Sequence, residues 1–328
     1  MYFIRLICLI LLLASGCART NYVRLLPPPP TPTPTATPTP LPSSTPWPTP
    51  SPYPTPWPTS TPEPPDTGWQ PLRPGAELRQ IRVHPTHEGN DDADKIHPVD
   101  LAERLTIVRL DPDVARFRVH YDPVTPLMVA AWAERLGSPL VVNGGYFTPE
   151  NETVGLLVSE GRVWGSSYGD YAGMFVVIAP SPSPSPEGGG EKVEIRWLRE
   201  QPYDPDEPLK EALQSFPVLV KPGGVMGFPA DADDGRPARR TVVAQDRLGR
   251  ILLIAAPRGT LGLHELACFL AASDLDLDIA LNLDGGFSTG LWLETDQKAD
   301  RNPSADRNPS VKIDSAVQVP SVISVDFR

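Results

Sequence analysis

Apolar and polar positions along residues 67–328 alternate mainly with the two-residue period of β-strands, or form short runs of β-branched residues. Turn residues separate these segments, as in the Ser159-Glu160-Gly161 sequence between two short apolar stretches, which predicts a hairpin. The pattern predicts strands at 79–83, 105–110, 116–121, 139–142, 154–158, 162–164, 174–179, 193–198, 217–221, 241–245, 250–255, 279–283, 290–293 and 317–327.

Helical spacing is confined to a few segments. Residues 126–136 place apolar side chains three and four residues apart and are followed by Gly137, a typical helix end. Residues 263–272 predict a second helix with Thr260 as its N-cap, and residues 207–214 predict a short third one. Strands with three or four helices between them indicate an α+β fold: a single domain on a mixed, mainly antiparallel β-sheet core.

The first seventeen residues, 1–17, have the pattern of an export signal. Arg5 precedes an apolar run of about ten residues, which is shorter than the ~20 that a membrane-spanning helix needs. Small residues then lead to Cys17 and resemble the lipobox of bacterial lipoproteins, with Ala14 where that family usually has Leu. The resemblance implies an exported protein at the cell surface or in the periplasm, anchored to the membrane by lipidation of Cys17. A plain signal peptide with a chance cysteine is the alternative.

A proline-rich linker, residues 18–66, separates this signal from the predicted domain, residues 67–328. Between residues 27 and 65 nearly every second residue is proline, which fixes φ and lacks an amide donor, so neither helix nor sheet can form. We expect a disordered, semi-rigid stalk of polyproline II character. Residues 181–190, a Ser-Pro run ending in three glycines, and residues 299–310, which contain ADRNPS twice, are predicted surface loops.

Charge and cysteine content narrow the class of protein. The 328-residue chain has a formal net charge of -11 and no basic cluster beyond short pairs, which argues against a nucleic-acid partner. Of three cysteines only Cys268 lies in the predicted domain, so no internal disulfide is expected there. We expect Cys268 to be a small core residue and the domain to be a monomer.

Two similar segments carry the candidate chemistry. Residues 141–147 read VVNGGYF and residues 281–289 read LNLDGGFST, so that each is an apolar strand followed by Asn or Asp, Gly-Gly and an aromatic residue. Paired glycines allow positive φ, and successive N–H groups in such a turn can form an anion-binding nest. Each segment taken alone also fits a plain hairpin turn.

The order of motifs, NGGYF, VGLLVSEGRVWG, SFPVLVKPGG, RRTVVAQDRLGRILLIAA, LHELACFL and LNLDGGFSTGLWL, resembles the phosphodiester glycosidase family, which includes the animal uncovering enzyme. The resemblance extends from about residue 103 to residue 327. Phe287 departs from it, because a small residue is frequent at that position of the family. The resemblance implies a hydrolase that cleaves a sugar-1-phosphodiester linkage in a glycan or wall polymer, with a carbohydrate or glycosyl-phosphate substrate.

The resemblance also implies roles for individual residues. Asp284 would be a general acid or base, Arg240 a bidentate phosphate clamp, with Arg239 as its competitor, and Asn143 a further catalytic group that holds a hydroxyl or positions water. A second carboxylate, if one is needed, stays open among Asp246, Glu152 and Asp170. The implied substrate-binding residues are Gly144, Gly145, Tyr146, Thr241, Asn282, Gly285, Gly286, Ser288 and Thr289.

Metal binding has weaker support in the sequence. A divalent cation, such as calcium, would suit acidic residues beside glycine turns, but no cofactor is required by any motif. The acidic segment 231–235 lacks the Gly and Glu positions of an EF-hand, and His84, His87 and His97 fit no zinc spacing. The alternatives to the sugar-phosphodiester hydrolase are a non-catalytic carbohydrate- or phosphate-binding surface protein on the same fold, and a hydrolase of another substrate class.

Overall fold

The computed structural model describes residues 64–85, 102–169, 173–180, 191–294 and 311–328. Cys17 and the rest of the predicted export signal lie outside these residues. So do the linker up to residue 63, the predicted loops 181–190 and 299–310, and three candidate side chains, His87, His97 and Asp170.

The described residues form eighteen strands and two α-helices. The strands are β1 Gln70–Arg73, β2 Ala76–Val83, β3 Glu103–Leu110, β4 Ala115–Tyr121, β5 Leu140–Asn143, β6 Leu157–Ser159, β7 Arg162–Trp164, β8 Gly173–Ile178, β9 Lys192–Trp197, β10 Leu209–Ser215, β11 Val218–Lys221, β12 Val225–Met226, β13 Arg240–Asp246, β14 Ile251–Ala256, β15 Leu277–Asn282, β16 Leu291–Leu293, β17 Val311–Ile313 and β18 Ser321–Phe327. The helices are α1 Val129–Leu136 and α2 Leu263–Ala272, and 3-10 turns occupy Ala230–Ala232 and Gly286–Ser288.

The strands form three sheets. The first has eight strands in the order β1-β2-β3-β14-β13-β15-β11-β12, the second has the order β7-β6-β10-β8-β9, and the third has the order β17-β16-β5-β18-β4. Neighbouring strands in these sheets are antiparallel, as in the pairs β13–β15 and β5–β18. The predicted α+β fold on a mainly antiparallel sheet core is therefore confirmed.

One apolar core is shared by all three sheets. It includes Val243 of the first sheet, Phe175 of the second and Val142 of the third. Strand β14 shows why its sequence, ILLIAA, is apolar throughout. Alternate side chains enter this shared core and a second cluster beneath α2, so both faces of the strand are buried.

Each α-helix covers the outer face of a sheet. Helix α1 packs Trp132 against the third sheet and ends at Gly137, whose φ of 62° is left-handed as the sequence predicts. The predicted N-cap of α2 was wrong: Gly262 caps the helix and donates its N–H to Glu265 Oε2 at 2.8 Å. Thr260 lies before the helix and donates instead to the buried carboxylate of Glu103. Neither helix of the described part has the length and apolar character needed to cross a membrane.

The third predicted helix, residues 207–214, was wrong, because this segment is the central strand β10 of the second sheet. Leu, Lys, Glu and Ala favour helices locally, but β10 is hydrogen-bonded to β6 on one side and β8 on the other. Pairing on both sides and burial of Leu213 override the local preference. Two predicted strands are also shorter than expected, since β6 begins at Leu157 and β18 at Ser321.

Candidate functional site

The two glycine turns meet where β5 of the third sheet and β15 of the first sheet end. Asp284 donates its backbone N–H to the carbonyl oxygen of Gly144 at 3.2 Å. The Asn143 side chain donates from Nδ2 to the carbonyl oxygen of Asp284 at 2.8 Å. The segments that the sequence singled out separately therefore form one structure, bridged by side-chain and backbone hydrogen bonds.

Asn143 is fully buried and holds three segments together. Its Oδ1 accepts from Thr241 Oγ1 at 2.7 Å and from the backbone N–H of Gly290 at 3.1 Å, while Nδ2 donates to Asp284. Thr241 is also fully buried, at the start of β13. The polar atoms of Asn143 are thus used within the protein, which suits a positioning role better than direct contact with a substrate.

Most glycines of the two turns lie so close to another part of the chain that a side chain would not fit. A Cβ atom at Gly144 would lie 2.3 Å from Ser321 Oγ, and one at Gly285 would lie 2.8 Å from the carbonyl oxygen of Arg239. Gly286 alone of the four has a left-handed φ, 60°. The turns are glycine-rich because other strands pack tightly against their backbones.

Asp284 is the half-buried carboxylate of this site. Its Oδ1 accepts from the backbone N–H of Gly285 at 2.9 Å, and the Ser288 side chain also hydrogen-bonds to the carboxylate. Burial outweighs these two hydrogen bonds and raises the pKa of Asp284 to about 6. A carboxyl group with this pKa can both accept and donate a proton near neutral pH.

The structure gives Arg239 and Arg240 different surroundings. Arg239 donates from Nη2 to the carbonyl oxygens of Thr289, at 2.7 Å, and Asp314, at 2.9 Å, and so braces the second glycine turn. Burial lowers its pKa. The Arg240 guanidinium donates to the carbonyl oxygen of Arg236 at 3.3 Å, and it forms no ion pair with any described carboxylate. Its Cδ lies 3.6 Å from the position that a Cβ would occupy at Gly285.

Asn282, at the end of β15, connects the site to the segment before β11. Its Nδ2 donates to Tyr146 Oη at 2.9 Å and to the carbonyl oxygen of Phe216 at 3.0 Å. Tyr146 donates its own hydroxyl to the same carbonyl oxygen at 3.0 Å. The sequence motifs contained Phe216 but gave no signal for this role, because a backbone carbonyl is present at every residue.

Buried polar atoms without a hydrogen-bond partner concentrate here. Six such side-chain atoms occur among the described residues, and four of them belong to Arg239, Arg240, Asn282 and Thr289. Leaving a buried polar atom unpaired costs about 1–3 kcal/mol, so folded proteins keep few of them, and those few call for a functional or structural explanation. Their concentration around Asp284 marks this region as a candidate active site.

A comparison with known families matches the part of the chain that contains this candidate site. The profile of the phosphodiester glycosidase family matches residues 137–325, which is more than half of the chain. The chain belongs to the phosphodiester glycosidase family. The matched segment includes both glycine turns and the Arg-Thr pair at the start of β13. The family is one of hydrolases that act on phosphodiester-linked sugars.

Solved structures similar to this phosphodiester glycosidase domain are distant in sequence. The catalytic domain of zebrafish N-acetylglucosamine-1-phosphodiester alpha-N-acetylglucosaminidase, auto-inhibited by its pro-peptide, matches with a TM-score of 0.52 and 20% identity, over 79% of this chain and 85% of that one. A Synechocystis protein matches with a TM-score of 0.48 and 16% identity over 78% of this chain, which spans 62% of that protein. The zebrafish match shows a shared fold. No curated protein sequence matches the chain significantly.

The remaining acidic candidates lie outside the candidate active site or accept hydrogen bonds within turns. Asp246 is buried at the far end of β13, where it accepts from the N–H groups of Leu248 and Arg250. Glu152 is exposed in the turn after Tyr146. Asp233 of the acidic segment accepts from the backbone N–H of His264 at the start of α2. Within the described ranges, no group of three or more His, Cys, Asp or Glu side chains is arranged to hold a metal ion.

The predicted burial of Cys268 was wrong, because its side chain is exposed on α2. Its Sγ lies 3.3 Å from Nε2 and 3.9 Å from Nδ1 of His264, distances too similar for the sulfur to lie along the lone pair of either nitrogen. His264 Nδ1 is hydrogen-bonded to the carbonyl oxygen of Phe228. The thiol therefore lacks the aligned hydrogen bond to a ring nitrogen by which histidine activates a thiol.

A separate groove of about 430 Å³ lies on the second sheet and contains none of the predicted site residues. Its walls include Arg118, Glu160 and Lys210. Glu211 follows Lys210 in the sequence and is buried. Its carboxylate accepts from the backbone N–H groups of Val119, at 3.2 Å, and Glu160, at 3.1 Å. Glu211 thereby joins edge strand β4 to the β6–β7 turn, which is a structural role.

Proposed function

We propose that this domain hydrolyses a sugar-1-phosphodiester linkage in a glycan or wall polymer. The observation that carries the proposal is the position of Arg240, whose Cδ packs beside Gly285, the residue directly after Asp284 in the second glycine turn. Asp284 offers a carboxyl group with a pKa of about 6, and Arg240 a cation without an ion-pair partner among the described residues. An acid/base group near a guanidinium that forms no ion pair with a described carboxylate fits a substrate that carries one negative charge on phosphate.

Each residue has a distinct task in this mechanism. Arg240 binds the phosphate oxygens, since guanidinium offers a planar, bidentate fork, and it stabilises negative charge as the phosphate leaves. Asp284 exchanges a proton with the attacking water or the leaving oxygen. Phosphate is already a good leaving group, so one acid/base group with electrostatic stabilisation is sufficient. Asn143 and Thr241 hold Asp284 in place, and Asn282, Ser288, Thr289, Tyr146 and the glycine amides line the sugar-binding region.

The site of action is proposed from the N-terminal sequence. Residues 1–17 read as a lipoprotein-type export signal, so a lipid on Cys17 would anchor the enzyme outside the cytoplasm, with residues 18–66 as spacer. Replacing Cys17 by Ser in the full chain tests this directly. The variant should move from the membrane fraction to the soluble exported fraction; a variant that stays with the membrane would contradict the anchor.

The function itself is tested with residues 67–328 and a panel of sugar-1-phosphodiesters. Asp284→Asn and Arg240→Ala should each lower kcat/KM by about 10²–10⁴-fold. Asp278→Asn is a matched control. Asp278 lies in β15, the strand that precedes Asp284, and its carboxylate also accepts a hydrogen bond from a backbone N–H, that of Gly223 at 2.8 Å. Arg236→Ala controls for loss of a nearby exposed arginine.

The panel has a second use. Aryl phosphodiesters and aryl glycosides, measured beside the sugar-1-phosphodiesters, separate this substrate class from plain phosphodiesterase or glycosidase activity. Parallel assays with EDTA and with added Ca²⁺ test the calcium expectation. Absence of turnover on every substrate, combined with binding of the same diesters, would contradict the hydrolase and support the alternative of a non-catalytic carbohydrate-binding protein on this fold.

A further inference from the structure

A buried carboxylate outside the glycine turns, that of Glu103, holds the loop that connects β14 to α2. Glu103 is the first residue of β3, and its side chain is fully buried. Its Oε1 accepts from the backbone N–H groups of Arg104, at 3.0 Å, and Arg258, at 2.9 Å. Its Oε2 accepts from the N–H of Gly259, at 2.8 Å, and from the N–H and hydroxyl of Thr260, at 3.1 and 3.3 Å. Three successive N–H groups of the loop therefore form a nest around this carboxylate.

The loop held by Glu103 packs against the chain that leads into β13. Gly259 has a left-handed φ of 72°, and a Cβ atom there would lie 2.8 Å from the backbone nitrogen of Arg239 and 3.1 Å from the carbonyl carbon of Ala238. Ala238 also donates its N–H to the carbonyl oxygen of Leu261 at 3.3 Å. Because so little space is left between the two segments, the position of Ala238 and Arg239 depends on the position of the loop.

The segment 238–239 in turn supports the second glycine turn. The carbonyl oxygen of Arg239 accepts from the N–H of Gly286 at 2.7 Å. Arg240, the proposed phosphate-binding residue, is the next residue in the chain and begins β13. Two layers of backbone, the loop 258–261 and the segment 238–239, therefore connect the buried carboxylate to the proposed catalytic groups.

The charge of Glu103 also reaches Arg239. Burial lowers the pKa of the Arg239 guanidinium, and the negative charges of Asp314 and Glu103 oppose this effect. Arg239 donates hydrogen bonds to the carbonyl oxygens of Thr289 and Asp314 beside the second glycine turn. Replacement of the Glu103 carboxylate by a neutral group would remove this charge and weaken the hydrogen bonds that hold the loop.

We infer that Glu103 is a positioning residue for the reaction, which acts through the two layers of backbone on Arg240 and on the turn that carries Asp284. This inference rests on the proposed function and adds a residue to its site. Glu103 precedes the residues 137–325 that match the phosphodiester glycosidase family, so the family match assigns it no role. The competing explanation is a carboxylate that only stabilises the loop and has no effect on the reaction.

The first test compares Glu103→Gln with Asp246→Asn in the full chain. Asp246 is also buried and accepts hydrogen bonds from backbone N–H groups of a turn, those of Leu248 and Arg250, but it lies at the opposite end of β13 from Arg240. Both variants should melt at a lower temperature than wild type. Only Glu103→Gln should change the reaction: kcat/KM for sugar-1-phosphodiesters should fall about 10–100-fold, with a higher KM because Arg240 is displaced. Unchanged kcat/KM in folded Glu103→Gln, or an equal loss in Asp246→Asn, would overturn the inference.

A second pair of variants disturbs the same contact while the Glu103 carboxylate is kept. Gly259→Ala places a Cβ atom against the backbone of Arg239, and Gly249→Ala is its control. Both glycines have a left-handed φ, 72° and 83°, but a Cβ at Gly249 would meet no described atom within 4 Å. The backbone strain is therefore similar, and only Gly259→Ala should lower kcat/KM for sugar-1-phosphodiesters. Wild-type kcat/KM in Gly259→Ala would overturn the inference, whether or not Glu103→Gln folds.

Hydrogen exchange separates this inference from the proposed function. The N–H of Gly286 is bonded to the carbonyl oxygen of Arg239, so its exchange rate reports how firmly the turn is held, independently of turnover. Exchange should be at least about tenfold faster in Glu103→Gln than in Asp246→Asn. If wild type hydrolyses no sugar-1-phosphodiester, the hydrolase is wrong, and this difference by itself supports the positioning of the turn by Glu103. Equal exchange in the two variants removes the positioning role, whatever the activity.

Discussion

Asn143 Nδ2 and the carbonyl oxygen of Asp284 are 2.8 Å apart, although 141 residues separate them in the chain. Thr241 fixes the orientation of the Asn143 amide by donating to Oδ1. The backbone of the proposed acid/base residue is therefore held by a side chain from another sheet. The position of Asp284 depends on strands β5 and β13 as much as on its own turn.

Removing the Asn143 side chain should loosen this connection. Asn143→Ala leaves the buried Thr241 hydroxyl and the Gly290 N–H without their acceptor, and we expect the free energy of unfolding to fall by about 1–3 kcal/mol in urea titrations. The kcat should fall while KM changes little, because Asp284 is displaced and the phosphate site is kept. Thr241→Val, which removes one hydroxyl, should cost less than Asn143→Ala; equal stability of wild type and Asn143→Ala would contradict the bridging role.

Replacement of Arg239 and replacement of Arg240 should have different effects. Arg239→Ala removes hydrogen bonds to the carbonyl oxygens of Thr289 and Asp314. The free energy of unfolding should fall by ~1–2 kcal/mol, which lowers the melting temperature by several degrees. Arg240→Ala should keep the melting temperature and lose kcat/KM, and Arg240→Lys should recover only part of it, because an ammonium group is not bidentate. The reverse pattern would assign the phosphate to Arg239.

The pH dependence of activity should report Asp284. Since burial raises its pKa to about 6, kcat/KM should show one limb with an apparent pKa near 6. Loss of activity below this pH identifies Asp284 as a base, and loss above it identifies an acid. A profile that is flat between about pH 5 and 7 would remove Asp284 from the proton transfer.

The same pKa shift has a consequence for stability. A raised pKa means that the carboxyl group stabilises the fold while protonated, and that this contribution disappears as pH rises through about 6. Asp284→Asn should therefore be more stable than wild type at pH 8, by about 1–3 kcal/mol, and similar to it at pH 4. Lower stability of the variant at both pH values would show that the carboxylate is needed structurally.

Glu211 should act as a second, independent pH-sensitive group. Burial raises its pKa to about 7, so its protonated form stabilises the fold below its ordinary pKa and this contribution is lost as pH rises through about 7. Glu211→Gln keeps an acceptor for the N–H groups of Val119 and Glu160 and should gain stability over wild type above pH 7. Glu150→Gln, at an exposed position, is the control; a parallel response of both variants would exclude Glu211 as the cause.

Much of this architecture can be predicted from the sequence, for reasons visible in single strands. The apolar run at residues 250–255 predicts a strand, and the structure confirms it as β14. Strand β10 could not be predicted in this way, because its residues favour a helix and only its position between β6 and β8 makes it a strand. Local preference fails where pairing partners decide the conformation.

For the candidate site, residue types can be predicted but contacts cannot. The glycine turns, Asp284 and Arg240 stand out in the sequence, whereas the separate duties of Arg239 and Arg240 depend on which carbonyl oxygens they reach. The exposure of Cys268 was misjudged because an apolar helix gives no local sign of which face meets the sheet. The sequence pattern identifies residue types that can carry out the chemistry, and the three-dimensional packing determines the role of each residue.

The bridge between Asn143, Thr241 and Asp284 also bears on how the domain acquires its activity. Thr241 and Asp284 are 98 and 141 positions from Asn143 and belong to a different sheet, so the contacts that close the site are strongly non-local. Such contacts form late, because loop-closure entropy must be overcome first, and domains rich in them fold slowly. Catalytic turnover during refolding should consequently appear only after most secondary structure has formed, and two fragments divided between β5 and β13 should each be inactive until they reassemble.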